Sequence, residues 1–267
     1  MNKKVKIILG CSSVALLSML TFAYATNNNQ ATIDTNTELS ISQTSLNKSY
    51  EIFDTLNSEK NITNSKTSYD ELENKNYYII ENDDYTIALE TNNSLKGIYS
   101  KEISTLETSS NLSKEIAEKY ICAKYKELNL PSQYELSYLE KYDDIIWQAN
   151  FEKNYNGIYN KYESVKVFFI PDTDEIISLS VFNEPTTSTT ASISQAEAIQ
   201  TASEELNLDS SKIVSASLEM EKANNYYDSS NTDTSVHPTW KIQTTDDTFI
   251  FVDANTSNII GGDEINE

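Results

Sequence analysis

Apolar residues recur in the middle of the chain with the spacing of an amphipathic helix. Ala117, Tyr120, Ile121 and Leu128 fall on one face of a segment that Pro131 brings to an end. Segments in which Val, Ile, Tyr, Phe and Thr alternate with polar residues follow this helix, as expected for half-buried antiparallel strands. The pattern therefore predicts a helix followed by a meander of strands over 134–139, 145–151, 164–170 and 175–181.

The C-terminal part of the chain repeats this pattern. Residues 194–197 read Ser-Gln-Ala-Glu, a capping box in which a hydroxyl and a carboxylate each satisfy a backbone donor at the start of a helix. Ala198, Ile199, Ala202 and Leu206 follow on one face. Both helices end in Glu-Leu-Asn-Leu, and four further strands are predicted at 213–220, 239–244, 248–252 and 258–260.

Each half carries one tryptophan in a middle strand, Trp147 in the first and Trp240 in the second. A large aromatic residue at such a position usually fills the core, although it also serves as a ligand platform in some proteins. We expect both indoles to lie beneath the helix of their own half. The predicted fold class is α+β, with two tandem modules that each pack one helix on an antiparallel sheet.

A third copy of the closing hairpin lies upstream of the first half. Residues 82–94 align without gaps with residues 245–257, but no obvious helix precedes them. We therefore expect this copy to be extra sheet of the first module. The predicted organisation has a first module over 71–184, a Thr/Ser linker over 185–190 and a second module over 191–267.

The beginning of the chain resembles an export signal followed by a spacer. Lys3, Lys4 and Lys6 precede an apolar run, and Ala23-Tyr24-Ala25 supplies the small residues of a cleavage site, so residues 1–25 are predicted to be a signal peptide cleaved after Ala25. An uncleaved anchor and lipoprotein processing at Cys11 are the alternatives. Residues 26–70 are rich in Asn, Thr, Ser, Gln and Lys and are predicted to be a largely disordered spacer, with a short helix near 45–57 as an option.

The charge balance excludes several classes of partner. The chain of 267 residues has a formal net charge of −21, and its 20 basic residues are all lysines. Nucleic-acid binding and adhesion to an anionic membrane both require clustered basic side chains, so neither is expected. The mature chain would keep one thiol, Cys122, and form no intramolecular disulfide. This composition is typical of a protein secreted or held at the cell surface or cell wall by a Gram-positive bacterium.

Two reactive side chains invite a catalytic interpretation. His237, the single histidine, precedes Pro238 in a predicted loop, where a solvated side chain is the simpler expectation than a general base. Cys122 lies in the first predicted helix, where a packing role or an intermolecular disulfide is simpler than a nucleophile paired with His237.

Carboxylates, tyrosines and tryptophans are too numerous to mark a site by themselves. Two acidic runs have the oxygen ligands that calcium prefers but lack the spacing of a known calcium loop: Asp228, Asn231 and Asp233, and Asp172, Asp174 and Glu175. We therefore assign no catalytic, cofactor-binding or metal-binding residues and expect no cofactor. The polar cluster of Tyr155, Tyr159 and Tyr162 is the first place to look for a partner surface.

The order of helix, meander, tryptophan strand and closing hairpin resembles the PepSY domain and the related YcdB/YcdC repeats of secreted bacterial proteins. The better match covers about residues 191–265, where Val252, Asp253, Ala254 and Thr256 occupy the family's Val-Asp-Ala-x-Thr positions. Ser257 stands where the family usually has glycine, a residue that accepts positive φ. The first half has Asp174 at that place.

PepSY domains occur in propeptides of secreted metallopeptidases, in a spore-germination accessory protein and in many envelope proteins. They are thought to restrain peptidases or assist the folding of partners. The resemblance implies a non-catalytic secreted protein, not an enzyme, that binds or regulates an extracellular partner, with inhibition of a peptidase as one form of that regulation. The alternatives are a carboxylate-dependent extracellular hydrolase and a structural or spacer protein of the cell wall.

Overall fold

The computed structural model describes residues 4–5, 41–71, 73–104, 112–224 and 233–263. The predicted signal peptide, its cleavage site and Cys11 lie outside these residues, apart from Lys4 and Val5. These two residues form strand β1, which pairs with Ile103–Ser104 in an antiparallel ribbon. Within the described ranges, no helix is long and apolar enough to cross a membrane.

The described residues contain three α-helices and fourteen strands. The helices are α1 (Gln43–Thr55), α2 (Lys114–Glu127) and α3 (Gln195–Glu205). The strands are β1 (Lys4–Val5), β2 (Asn64–Asp70), β3 (Lys75–Glu81), β4 (Tyr85–Glu90), β5 (Leu95–Ser100), β6 (Ile103–Ser104), β7 (Tyr134–Lys141), β8 (Trp147–Tyr155), β9 (Ile158–Ile170), β10 (Glu175–Asn183), β11 (Ile213–Lys222), β12 (Val236–Thr244), β13 (Phe249–Asp253) and β14 (Ile259–Gly262).

The predicted α+β class is confirmed, but the helix-and-meander pattern occurs three times instead of twice. We call α1 with β2–β5 the upstream module, α2 with β7–β10 the middle module, and α3 with β11–β14 the C-terminal module. In each, four consecutive strands are hydrogen-bonded neighbours in chain order. The upstream hairpin has its own helix, and because β5 is a hydrogen-bonded neighbour of β10 in one eight-stranded sheet, it also extends the sheet of the first predicted module, as expected.

The three helices begin with the same hydrogen-bonded serine. Ser42, Ser113 and Ser194 have extended backbones, and each side chain accepts a hydrogen bond from the backbone N–H three residues later. Such N-caps satisfy donors that the first helical turn leaves unpaired. At Ser194 the predicted capping box is complete, because Glu197 also accepts from the Ser194 backbone.

The three helices also end alike, on a leucine followed by an asparagine with a left-handed backbone. Asn57, Asn129 and Asn207 have φ values of 53°, 52° and 50°. The residue after each asparagine donates its N–H to the carbonyl five residues earlier, the longer bond of a Schellman motif. The Leu-Asn pair that the sequence repeats at 128–129 and 206–207 thus recurs at 56–57.

Within the predicted spacer over 26–70, residues 43–55 form a helix, close to the option given for 45–57, and residues 64–70 form a strand. The buried face of this helix combines Ser45 and Ser49 with Ile52 and Phe53. Ser45 Oγ donates to Asn93 Oδ1 at 2.6 Å, which ties α1 to the turn between β4 and β5. Strand β2 carries almost no apolar residues and pairs only with β3.

The closing hairpins of the upstream and C-terminal modules share a β-bulge at the same aligned position. The register shifts between Ala88 and Leu89 in the first and between Phe251 and Val252 in the second. Ser257 has a φ of 63° and Asp174 a φ of 57°, so both adopt the positive φ for which the resembled family uses glycine. Sequence and backbone therefore agree on how these hairpins close.

Trp147 and Trp240 occupy equivalent positions, as predicted. Trp147 pairs with Phe169, and Trp240 pairs with Val252; each partner lies five residues before the left-handed residue of its hairpin. Phe169 stacks on Tyr120 of α2 with ring centroids 5.5 Å apart. Val252 belongs to the core that Ala198 and Ala202 of α3 form with the C-terminal sheet, and Trp240 packs against this core.

The two indole N–H groups differ in their partners. Trp240 Nε1 donates to the carbonyl of Ile193 at 3.1 Å, directly before the N-cap of α3. Trp147 Nε1 is buried without a hydrogen-bond partner among the described residues. The equivalence therefore lies in strand register and in the side of the sheet that faces the helix, because paired residues of antiparallel strands point to the same face.

The chain divides into two compact units whose limits differ from those of the predicted modules. Unit 1 comprises residues 1–110 and 172–177, and unit 2 comprises residues 111–171 and 178–267. Unit 2 thus holds both predicted helices. The predicted linker over 185–190 is bonded within unit 2, since Thr186 forms a bridge with Val236 and donates to its carbonyl at 2.9 Å.

The exposed helix end at Asn207 provides a test of the left-handed cap. We expect Asn207→Ala to lower the free energy of unfolding by about 1 kcal/mol, because a Cβ is costly at positive φ when no short polar side chain compensates for it. Asn207→Gly should stay close to the wild type, since glycine tolerates this backbone. Urea unfolding followed by circular dichroism would compare the three proteins. Equal losses for both variants would contradict this account.

Candidate functional site

The candidate site is an acidic cavity of about 430 Å³ in unit 1. Its walls come from four segments: the end of α1, the turn between β3 and β4, the end of β5 with the residues after it, and the turn before β10. They contribute Leu56, Asn57, Ser58, Asp83, Asp84, Tyr85, Ser100, Glu102, Thr173, Asp174 and Glu175. We call this cavity the acidic pocket, since five of these side chains are carboxylic acids and none is a lysine.

Hydrogen bonds donated by neutral side chains orient several of the pocket carboxylates. Ser58 Oγ donates to Asp84 Oδ2 at 2.8 Å, and Asn57 Nδ2 donates to Asp174 Oδ2. Ser100 Oγ lies within 3.3 Å of Glu175 Oε1. The left-handed backbone at Asn57 thus ends helix α1, and it also brings the side chains of Asn57 and Ser58 within hydrogen-bonding distance of two pocket acids.

Tyr85 forms a buried wall of the acidic pocket, with 6% of its surface exposed. Its backbone N–H donates to Asn82 Oδ1 at 2.7 Å. Burial, together with the negative charges of Glu175, Asp84 and Asp174, raises the pKa of this phenol, so it keeps its proton at neutral pH.

The two acidic runs proposed as calcium ligands fare differently. Asp228 and Asn231 lie outside the described residues. Asp174 and Glu175 both line the acidic pocket, whereas Asp172 does not. Across the described ranges, no three His, Cys, Asp or Glu side chains are arranged to hold a metal ion.

Two of the three tyrosines predicted as a partner surface contact buried glutamates within unit 2. Tyr162 donates to Glu221 Oε2 at 3.2 Å, and Lys161 Nζ lies 2.6 Å from Glu221 Oε1. Burial and the charge of Glu221 raise the pKa of Tyr162. Because Glu221 is only 4% exposed, these contacts join strand β9 of the middle module to β11 of the C-terminal module.

Glu163, the residue after Tyr162 on β9, forms the centre of a second buried cluster. It is 4% exposed and receives Lys153 Nζ at 2.8 Å and the hydroxyl of Tyr155. Hydrogen bonding to Glu163 raises the pKa of Lys153. Of the predicted tyrosine surface, Tyr159 alone remains open to solvent, at 39% exposure.

His237 lies at the start of β12, so its prediction as a solvated loop residue is wrong. Its side chain is 18% exposed, with Nε2 placed 2.9 Å from Asp233 and Nδ1 placed 3.3 Å from Asp253. Asp253 also accepts the backbone N–H groups of Asn255 and Thr256. The histidine therefore contacts the closing turn of the C-terminal module.

Cys122 is a free, half-buried thiol on α2. Burial, followed by the charge of Glu118, raises the pKa of Cys122. A raised pKa keeps sulfur in the thiol form, which is the less nucleophilic form. Since both ring nitrogens of His237 face carboxylates, the structure does not bring the proposed cysteine and histidine pair together.

The sequence did not reveal the acidic pocket as a site. Residues 82–85 attracted notice only as part of a repeated hairpin, and Asn57 and Ser58 lay in the predicted spacer. The one available signal was the left-handed Leu-Asn end of α1, because a helix C-terminus there places residues 57 and 58 next to the hairpin.

Comparisons with known proteins give a structural likeness without a matching family model. No protein-family model matches the chain, and no curated protein matches it. Among solved structures, the chain is similar to the Bacillus megaterium YpeB C-terminal domain, with a TM-score of 0.46 and 14% sequence identity. The match covers 85% of this chain and 99% of that one. The α+β class stands on the helices and antiparallel strands of the chain itself.

Glu152 on β8 offers a test of burial around these charged clusters. Burial raises the pKa of Glu152 in spite of hydrogen bonds from Ser137 and Asn150 and the charge of Lys161. The folded chain therefore binds this proton at a higher pH than the unfolded chain does. Consequently, this carboxyl makes stability fall as pH rises from its ordinary pKa of about 4.3 through its raised value.

We expect Glu152→Gln to be more stable than the wild type at neutral pH, and this gain should vanish below about pH 4, where the carboxyl is protonated in both states. Urea unfolding over a pH series measures the difference. Glu205→Gln, the same charge change at an exposed position of α3, is the matched control. A gain that persists unchanged in acid would refute the burial argument.

Proposed function

We propose that this chain is a non-catalytic secreted protein that binds and regulates an extracellular partner at the surface of, or outside, a Gram-positive cell. The first partner class to test is an extracellular peptidase, whose activity we expect this chain to inhibit. The observation that carries the proposal is that the most reactive side chains make structural contacts. His237 contacts the closing turn, Glu221 and Glu163 are buried among lysines and tyrosines, and Cys122 is half-buried in a helix.

Two further features support a binding role. The resemblance of residues 191–265 to PepSY domains points to proteins that restrain or assist partners. A chain with net charge −21 also attracts basic partners over the range of a Debye length, which is about 8 Å at physiological salt.

A carboxylate-dependent hydrolase is the second candidate, and the acidic pocket favours it. Convergent carboxylates in a cavity are the raw material of general acid–base catalysis. This candidate predicts turnover of an extracellular glycan or peptide substrate and its loss in Glu175→Gln. Hydrolysis by the purified wild-type chain that disappears in this variant would replace the binding proposal.

The binding proposal is tested with purified residues 26–267 and secreted peptidases from a Gram-positive culture. We expect slower peptide hydrolysis and a complex that elutes earlier on gel filtration than either component. The same chain unfolded in urea and diluted directly before the assay controls for nonspecific adsorption. An unchanged rate together with the absence of a complex would count against the peptidase version.

A further inference from the structure

Strand β2 lies at one edge of the eight-stranded sheet, with β3 as its neighbour on the inner side. We propose that the outer side of β2 pairs antiparallel with β2 of a second copy of this chain, about a two-fold axis that passes through Ser68. Both strands of the β2–β3 pair belong to unit 1. This self-association goes beyond the proposed function and does not depend on it.

Two other sheet edges are blocked by a bulge or by a neighbouring strand. Within the described ranges, β7 forms the opposite edge of the eight-stranded sheet, and its register with β8 shifts between Leu136 and Tyr138. Strand β11 forms one edge of the four-stranded sheet, and its Glu221 binds Lys161 of β9. Bulges and covering segments are the usual ways in which sheets prevent a further strand from pairing.

The β14 edge of the four-stranded sheet is covered by Asn224, which follows β11. The backbone N–H of Asn224 donates to the carbonyl of Ile260 at 2.9 Å, and its side-chain amide exchanges hydrogen bonds with the backbone of Gly262 at 3.0 and 3.2 Å. A Cβ on Gly261 would come within 2.7 Å of the Asn224 side chain, so glycine allows this close approach. Hydrogen-bonding groups of β14 are thus already used within the chain.

Strand β2 has no such protection among the described residues. It pairs with β3 in an unbroken register, from Asn64 opposite Glu81 to Asp70 opposite Lys75. It contains neither proline nor glycine, and its Tyr69 is 54% exposed. An edge strand presents a row of N–H and C=O groups that are not paired within its sheet, which makes a regular edge a template for one more strand.

The two charged side chains of β2 select the register of the proposed pair. In an antiparallel pair centred on Ser68, Lys66 of one copy lies directly opposite Asp70 of the other, and the two-fold symmetry repeats this contact. A centre at Lys66 or Asp70 would oppose like charges. A centre at Thr67 or Tyr69 would place both charges opposite uncharged residues. Of these centres, only Ser68 matches both charges, and opposite charges stabilise a cross-strand pair.

The uncharged residues favour the same register. Thr67 would face Tyr69 of the second copy, and a β-branched residue opposite an aromatic one is a stabilising cross-strand pair. The hydroxyl of Tyr69 donates to Asn74 Oδ1, so the exposed ring is held in place before association. A lysine on an edge strand ordinarily discourages pairing, and its match with Asp70 therefore makes this edge selective for its own sequence.

Self-association of an acidic chain needs a locally neutral contact. The chain has a net charge of −21, so two copies repel each other. Strand β2 has one lysine and one aspartate and is therefore neutral. Charges farther apart than about 8 Å are largely screened at physiological salt, whereas partly buried pairs at the contact are screened much less. Because one strand pair is smaller than a standard protein interface, we expect a weak dimer.

Disulfide trapping tests the register. The predicted mature chain, residues 26–267, is prepared with Cys122→Ser and with either Ser68→Cys or Thr67→Cys. At position 68 the two thiols face each other across the axis, at a Cα separation that a disulfide tolerates, whereas position 67 faces Tyr69. Oxidised glutathione accepts the two electrons and leaves as two glutathione thiols. It should trap the covalent dimer about tenfold faster at position 68 than at position 67. Equal rates at the two positions would overturn the inference.

Charge reversal tests the paired side chains. Lys66→Glu places two acids opposite each other, and Asp70→Lys places two lysines opposite each other, so each variant alone should raise the dissociation constant of the dimer by about tenfold. An equimolar mixture of the two variants restores opposite charges at both contacts and should associate about as well as the wild type. Lys119→Glu, the same charge change at an exposed position of α2, should stay within about twofold.

Sedimentation velocity over a concentration series measures these dissociation constants. Circular dichroism checks that each variant keeps its fold, since Asp70→Lys also removes the acceptor of the Glu73 backbone N–H. Weaker association of each charge variant, with recovery in the mixture, supports the two-fold pair. Association that Lys66→Glu leaves unchanged would overturn it.

The same measurements separate a second copy from another occupant of the edge. A wild type that stays monomeric at every concentration, without faster trapping at position 68, excludes the proposed dimer. If this monomer also captures another secreted protein and Lys66→Glu abolishes the capture, the edge receives a strand of that partner and the inference of a second copy is wrong.

Discussion

The fold depends on a helix packed over one cross-strand pair of the sheet beneath it. In the middle module that pair is Trp147 and Phe169, and in the C-terminal module it is Trp240 and Val252. Tyr78 and Leu89 hold the same register in the upstream module. Burying a tryptophan removes ~150–250 Å² from water, which at ~25 cal/mol/Å² contributes up to ~4–6 kcal/mol. That is a large share of the stability of a small module and explains why the same pairing recurs.

In the turns around this packing, asparagine, aspartate and serine adopt the left-handed backbone that glycine adopts in many proteins. The chain has only five glycines, yet nine other described residues have positive φ. Three of them are the asparagines that end the helices, and two more, Asp174 and Ser257, close hairpins. Short polar side chains tolerate the left-handed region because they form local hydrogen bonds. The turns therefore carry side chains that form hydrogen bonds, and Asn57 donates one to Asp174.

Charge has different uses in the two units. Within unit 2, Glu163 and Glu221 are buried and each receives a lysine and a tyrosine, so their charges join strands. A buried carboxylate is tolerated only when it is paired in this way. Within unit 1, five acids line the pocket beside Tyr85, and burial together with the charges of Glu175, Asp84 and Asp174 raises the pKa of its phenol. Negative charge is therefore buried and paired with lysine in one unit and lines a cavity in the other.

The sequence by itself determined the α+β class, two of the three helices with their serine caps, the strand order within each meander and the equivalence of the two tryptophans. These are local or nearest-neighbour properties, which the hydrophobic period and the turn residues encode directly. The sequence offered α1 only as an option, because Ser45 and Ser49 share its buried face with Ile52 and Phe53, and only the tertiary structure revealed the contact of Ser45 with Asn93. It alone also decided the acidic pocket and the partners of Tyr155, Tyr162 and His237, since each of these brings together residues from separate segments of chain.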